Sequence, residues 1–112
     1  MSHEELRDKV DLAFLCDFYG GLLTEKQRRV LALHCEEDYS LGEIAAEVGI
    51  SRQAVHETLT RASARLRDLE AALGTAARFQ RVESGLQSAL SAIREKKYDE
   101  AQARLEELLD LE

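Results

Sequence analysis

Arg52, Gln53 and His56 lie just after Ser51, in the first turn and a half of a predicted helix. Their types are those that read base edges. An arginine can bond bidentately to guanine and a glutamine to adenine across the major groove. Arg61 and Arg65 follow one helical turn apart and suit phosphate oxygens. With Ser51 at the helix start, these six residues are the candidate nucleic-acid-binding set. The same residues also describe a solvated helix face, where arginine is common, so residue type alone leaves both readings open.

The elements that must position this set are legible around it. Ser40 and Glu43 make a capping box, in which the serine oxygen accepts from the backbone N–H of Glu43 and the carboxylate reaches back. Tyr39 and Ile44 occupy the flanking hydrophobic-staple positions. Ser51 repeats the start signal, with Ile50 and Val55 as the staple. Gly49 lies between the two starts, where a left-handed residue costs a glycine least. Ile44, Val48, Ile50, Val55 and Leu59 have the spacing to pack two helices at a steep angle, and small Ala45 permits close approach. The segment from Ser40 onward is a predicted helix-turn-helix with no sign of a wing.

Composition sets the frame. The 112 residues are 45% hydrophobic and 33% charged, with no proline. With no useful two-residue alternation, the expected fold is all-α. The six aromatics include no tryptophan, which argues against a stacking platform for single strands. Cys16 and Cys35 are expected as buried, reduced thiols, because two cysteines with no export signal do not make a disulfide framework. No apolar run approaches spanning length, so a cytoplasmic protein without membrane insertion is expected.

Before the helix-turn-helix, a helix from about Glu4 to Tyr19 is apolar on most sides, and Gly20-Gly21 ends it. Thr24 and Gln27 then cap a second helix with Val30, Leu31 and His34 on one face. After Ser51, the residues Val55, Leu59, Ala62, Leu66, Leu69 and Leu73 alternate in steps of four and three. This is either a heptad seam for a second copy or one face of a long helix covered by its own chain. The seam and the apolar first helix together predict a homodimer. Gly74-Thr75 marks a break, which gives a helix-turn-helix domain over 1–73 and a C-terminal helical hairpin over 74–112. In the hairpin, Phe79, Val82, Leu86, Leu90 and Ile93 are expected inward, and Asp99 with Gln102 is expected to cap the last helix.

The net charge of −7 is unusual for a nucleic-acid binder, which carries a basic footprint. Its distribution is uneven. Ser51 to Arg67 holds four arginines against one glutamate, a net of +3, and Thr24 to Val30 nets +2. The acidic excess is −3 in Met1 to Phe18, −5 in Glu36 to Glu47 and −4 from Asp68 onward. The candidate reading helix is a basic element on an acidic body, so phosphate attraction would be local.

Three blocks carry a family resemblance: D-F-Y-G-G-L-L-T-E-K-Q-R from Asp17, E-E-D-Y-S-L-G-E-I-A from Glu36, and G-I-S-R-Q-A-V from Gly49. In this order and with these gaps, the chain resembles the YlxM family of small bacterial proteins. It is similar, more distantly, to the C-terminal helix-turn-helix of promoter-reading sigma factors. The YlxM resemblance implies a helix-turn-helix regulator linked to the signal recognition particle pathway, since the family's genes lie beside those of the particle's GTPases. Components of that particle are the partners it implies.

Catalysis finds no support in the residues. No glycine-rich phosphate loop follows a strand, His34-Cys35 lacks a third ligand at metal spacing, and the carboxylates fall in caps and solvated runs. No enzyme, metal or cofactor is expected. Two classes remain: a regulator that binds DNA or RNA through Ser51 to Arg65, and an adaptor that binds protein through its acidic faces with the helix-turn-helix as scaffold.

Overall fold

The computed structural model describes residues 2–111, and they form an all-α chain of six helices: α1 (His3–Tyr19), α2 (Glu25–Cys35), α3 (Leu41–Val48), α4 (Arg52–Leu73), α5 (Thr75–Arg94) and α6 (Tyr98–Leu109). A single 3-10 turn, Gly20–Leu22, joins α1 to α2. The chain divides into two compact units, Met1–Gly74 and Thr75–Glu112.

The first unit is built on its caps. Thr24 and Ser40 each close a full capping box, with Gln27 and Glu43 reaching back to the cap nitrogens at 3.0 Å. Ser51 accepts from the Ala54 N–H at 3.0 Å, but Ala54 has no carboxyl or amide to return the bond, so the box is half made. Gly49 turns the chain between α3 and α4 at φ 80°, and its N–H and that of Ile50 both donate to the Ala45 carbonyl. An L-residue with a side chain is strained in that conformation.

The apolar line of α4 lies inside its own chain. Val55, Leu59, Ala62 and Leu66 are buried against Leu12, Leu31 and Ile44 from the other three helices of the unit. This answers the choice between an intermolecular seam and a covered face in favour of the covered face as far as Leu66. Beyond it Leu69 is half-buried and Leu73 exposed. On α1, Leu12 and Tyr19 are buried, whereas Leu6 and Val10 on the first turns stand in solvent. Tyr19 donates from its hydroxyl to Glu70 Oε1 at 2.6 Å, tying the ends of α1 and α4 together.

The second unit differs from expectation in two ways. Its inner faces are lined by small residues: Ala89 and Ala92 of α5 and Ala101 of α6 are buried, and a β-carbon on Gly85 would stand 2.6 Å from Leu108 Cδ2. Small residues let the two helices approach closely, and the close approach rotates the large side chains out of the interface. Leu86, Leu90 and Ile93, expected inward, are about half exposed, as is Phe79. The second difference is the start of α6. Its cap position is Lys97, whose side chain makes no capping bond, and Asp99 lies inside the first turn. Lys96 in the left-handed region (φ 62°) brings the Lys97 N–H onto the Ala92 carbonyl at 2.8 Å, which starts α6 early. There Asp99 and Glu100 complement the helix dipole, and Gln102 bonds Glu106 rather than the backbone.

Candidate nucleic-acid interface

Each residue advances about 100° around a helix. On α4, with Val55, Leu59, Ala62 and Leu66 facing the core, Gln53, Glu57 and Ala64 fall on the line directly opposite. Arg52 and His56 fall on one flank of that line, and Arg61 with Arg65 on the other. All five candidate polar side chains of α4 are exposed, as is Ser51. The set is therefore not a single stripe. It is a central glutamine with Arg52 and His56 on one side and Arg61 and Arg65 on the other.

Local chemistry separates these residues further. The Ser51 hydroxyl is engaged in the cap of α4. Arg52 folds back on α3: its Nη2, Nε and Cζ atoms lie 2.8, 3.0 and 3.1 Å from the point where a β-carbon on Gly42 would stand. Only a glycine leaves room for the guanidinium there. The first turn of α4 carries no acid, so no carboxylate of its own first turn offsets the positive end of its dipole. Arg67, the fourth arginine of the basic stretch, is engaged elsewhere, in an ion pair with Asp8 of α1. The exposed basic charge of α4 that remains is thus Arg61 and Arg65, with Arg52 turned back over α3, against Glu57.

Two participants were not singled out from the sequence. Gly42 seats Arg52, and the only signal for it was a glycine inside a helix, where it is disfavoured. Glu57 follows Gln53 by one turn on the outward line and makes no ion pair among the described residues. In a groove, a carboxylate there accepts from cytosine N4 and is repelled by phosphate.

Below the His56 flank, a cleft of about 740 Å³ runs past Leu41, Thr60 and Arg67 to His34. His34 Nδ1 is buried without a hydrogen-bond partner. Burial, followed by the positive charge of Lys9, holds its imidazole below the ordinary histidine value, against the opposing pull of Asp38 and Asp8. Lys9 bonds Asp38 at 2.5 Å, which depresses that exposed carboxyl. Cys16 and Cys35 are free, half-buried thiols, and burial pushes Cys35 up to about 11.

Comparison with known proteins places this helix-turn-helix. Residues 6–109 match the UPF0122 family model, described as "Putative helix-turn-helix protein, YlxM / p13 like". The chain belongs to this family. It is 42% identical over 98 residues to a UPF0122 protein of Halalkalibacterium halodurans, covering 88% of this chain and 84% of the relative. A UPF0122 protein of Symbiobacterium thermophilum is 47% identical over 76 residues, 68% of this chain and 71% of that one. A third, from Geobacillus kaustophilus, is 43% identical over 76 residues, or 68% and 69%. The family match spans both units, including the hairpin. No helix among the described residues is long and apolar enough to cross a membrane.

Proposed function

We propose that this UPF0122 member is a regulator that binds duplex DNA by inserting α4 into the major groove. The observation that carries the reading is the placement of Gln53 on the outward line of α4 between the Arg52–His56 flank and the Arg61–Arg65 flank. Duplex DNA is favoured over duplex RNA because the deep, narrow major groove of A-form RNA does not admit side chains. The setting proposed for this regulation, the signal recognition particle pathway, rests on the family resemblance alone.

The test is titration of the full chain against a mixed-sequence DNA duplex, with an RNA duplex alongside, over a range of salt. Arg61→Ala is expected to weaken binding to all sequences and reduce the salt slope by about one. Arg52→Ala is expected to blur preference at one base pair, at about 1–3 kcal/mol. If neither substitution alters binding, the reading fails. Loss of a captured protein partner on charge reversal of Glu36, Glu37 and Asp38 would then support the adaptor role, with the helix-turn-helix as scaffold.

A further inference from the structure

We infer that the outer apolar face of the α5–α6 hairpin is the docking surface for a second copy of this chain, hairpin on hairpin, forming a four-helix bundle. On α5, Leu86, Leu90 and Ile93 each follow by one residue the positions that face α6: Gly85, Ala89 and Ala92. On α6, Tyr98, Leu105 and Leu109 are offset in the same rotational sense from Ala101 and Leu108. In an antiparallel pair, equal offsets of one sense fall on the same side. The six side chains, between 41% and 84% exposed, therefore form one continuous apolar face across both helices. A patch of this kind marks an interaction site.

The hairpin's own interface cannot substitute for that face. Alanines and one glycine bury little apolar area, and two helices closed on them lack the core that a bundle draws from large residues at inward positions. Leu86, Leu90, Ile93, Tyr98, Leu105 and Leu109 are such residues, pointing outward.

Charge selects the occupant. Arg78, Arg81 and Arg94 against Glu83 give α5 a net of +2, and Asp99, Glu100, Glu106 and Glu107 against Arg104 give α6 a net of −3. Among the described residues no ion pair joins α5 to α6; the pairs in this unit are Lys97 with Glu95 and Arg104 with Glu107. A two-fold axis parallel to the helices lays α5 of one copy antiparallel on α6 of the other. Opposite net charges then face each other in an isologous interface. It also brings Arg94, at the turn end of α5, level with Asp99 of the partner subunit. An axis across the helices would set like on like.

The experiment is sedimentation velocity of the full chain at micromolar concentration, independent of any nucleic acid. The wild type is expected at twice the 12.6 kDa chain mass. Leu90→Lys is expected to return a 12.6 kDa species with unchanged helical circular dichroism. Arg94→Glu is expected to weaken the dimer a few-fold, the size of an exposed ion pair, and Arg94→Glu with Asp99→Arg to restore it. A wild-type monomer overturns the inference, since the face would then belong to another partner. So does a Leu90→Lys dimer of unchanged affinity, or a charge swap that fails to restore what the single reversal removes.

Discussion

The guanidinium of Arg52 lies over Gly42, with Nη2 2.8 Å from where a β-carbon would be. The first residue of α4 is thereby held against the helix before it. Gly42→Ala has opposite effects on stability and on recognition. Alanine raises the helix propensity of α3 by up to about 1 kcal/mol, while its methyl group displaces the flexible end of Arg52. The expected outcome is a melting temperature equal to or above wild type, with an Arg52 Nε–Hε resonance shifted in NMR spectra. A duplex that discriminates through Arg52 should lose that preference in Gly42→Ala. An unmoved Arg52 resonance would mean the seat is not occupied in solution.

Tyr19 is 3% exposed and its hydroxyl donates to Glu70. Tyr19→Phe keeps the ring in the core and removes the hydroxyl that makes this bond. Hydrogen bonds to charged groups contribute about 1.5–3 kcal/mol; Glu70 is half exposed and water can replace part of the loss. A destabilisation of about 1–2 kcal/mol is expected by urea unfolding. A midpoint equal to wild type would show that the bond adds nothing net.

The helix-turn-helix was legible because its signals are local. Thr24, Ser40, Ser51 and Gly49 act on backbone groups within four residues, and each does in the structure what its type dictates. The hairpin itself was legible from the break at Gly74-Thr75, but its inward side was not, because which face of α5 turns inward is a competition. Periodicity favoured Leu86, Leu90 and Ile93, yet close packing on Gly85, Ala89 and Ala92 prevails. Both stripes are apolar at helical spacing and differ only in size, so hydrophobic pattern does not choose between them. The Arg52 seat was hidden for a similar reason. It joins residues of two helices through a contact that exists only once the turn at Gly49 has brought them together.

His34 provides a pH dependence with a definite sign. Burial, then Lys9, lowers its folded pKa below the unfolded value of 6.5, so the fold favours the neutral ring. That contribution is intact above 6.5 and is lost as pH falls through the folded value. Asp38, itself depressed by Lys9, loses its ion pair at still lower pH and acts in the same direction. The His34 ring protons should titrate with a midpoint below 6.5, and His34→Gln should flatten stability between neutral and mildly acidic pH. A midpoint at or above the ordinary value would contradict the burial argument.

Cys35 should be slow to react. Burial is the main cause of a thiol pKa of about 11, and the thiolate is the nucleophile. Alkylation by iodoacetamide at neutral pH should be much slower than for a small free thiol and should reach the free-thiol rate in denaturant. Equal rates in folded and unfolded protein would place the thiol in solvent.

Four residues among those described have left-handed backbone conformations, and they fall into two classes. Gly49 and Gly74 adopt it as glycines, whereas Asp38 and Lys96 do so with side chains, at φ 56° and 62°. A side chain there costs about 1–2 kcal/mol, partly offset in any glycine replacement by the greater freedom of an unfolded glycine. Gly49→Val should therefore destabilise the first unit by at least about 1–2 kcal/mol, since a β-branched residue fits this region worst. Lys96→Gly should act oppositely on the hairpin, a gain of about 0.5–1 kcal/mol. Lys96 is well suited to this comparison because no ion pair among the described residues involves it, so the backbone term dominates. Amide hydrogen exchange in α5 and α6 reads the effect on the second unit directly. Slower exchange in Lys96→Gly is expected, and faster exchange would show that the turn is held by the lysine side chain rather than strained by its backbone.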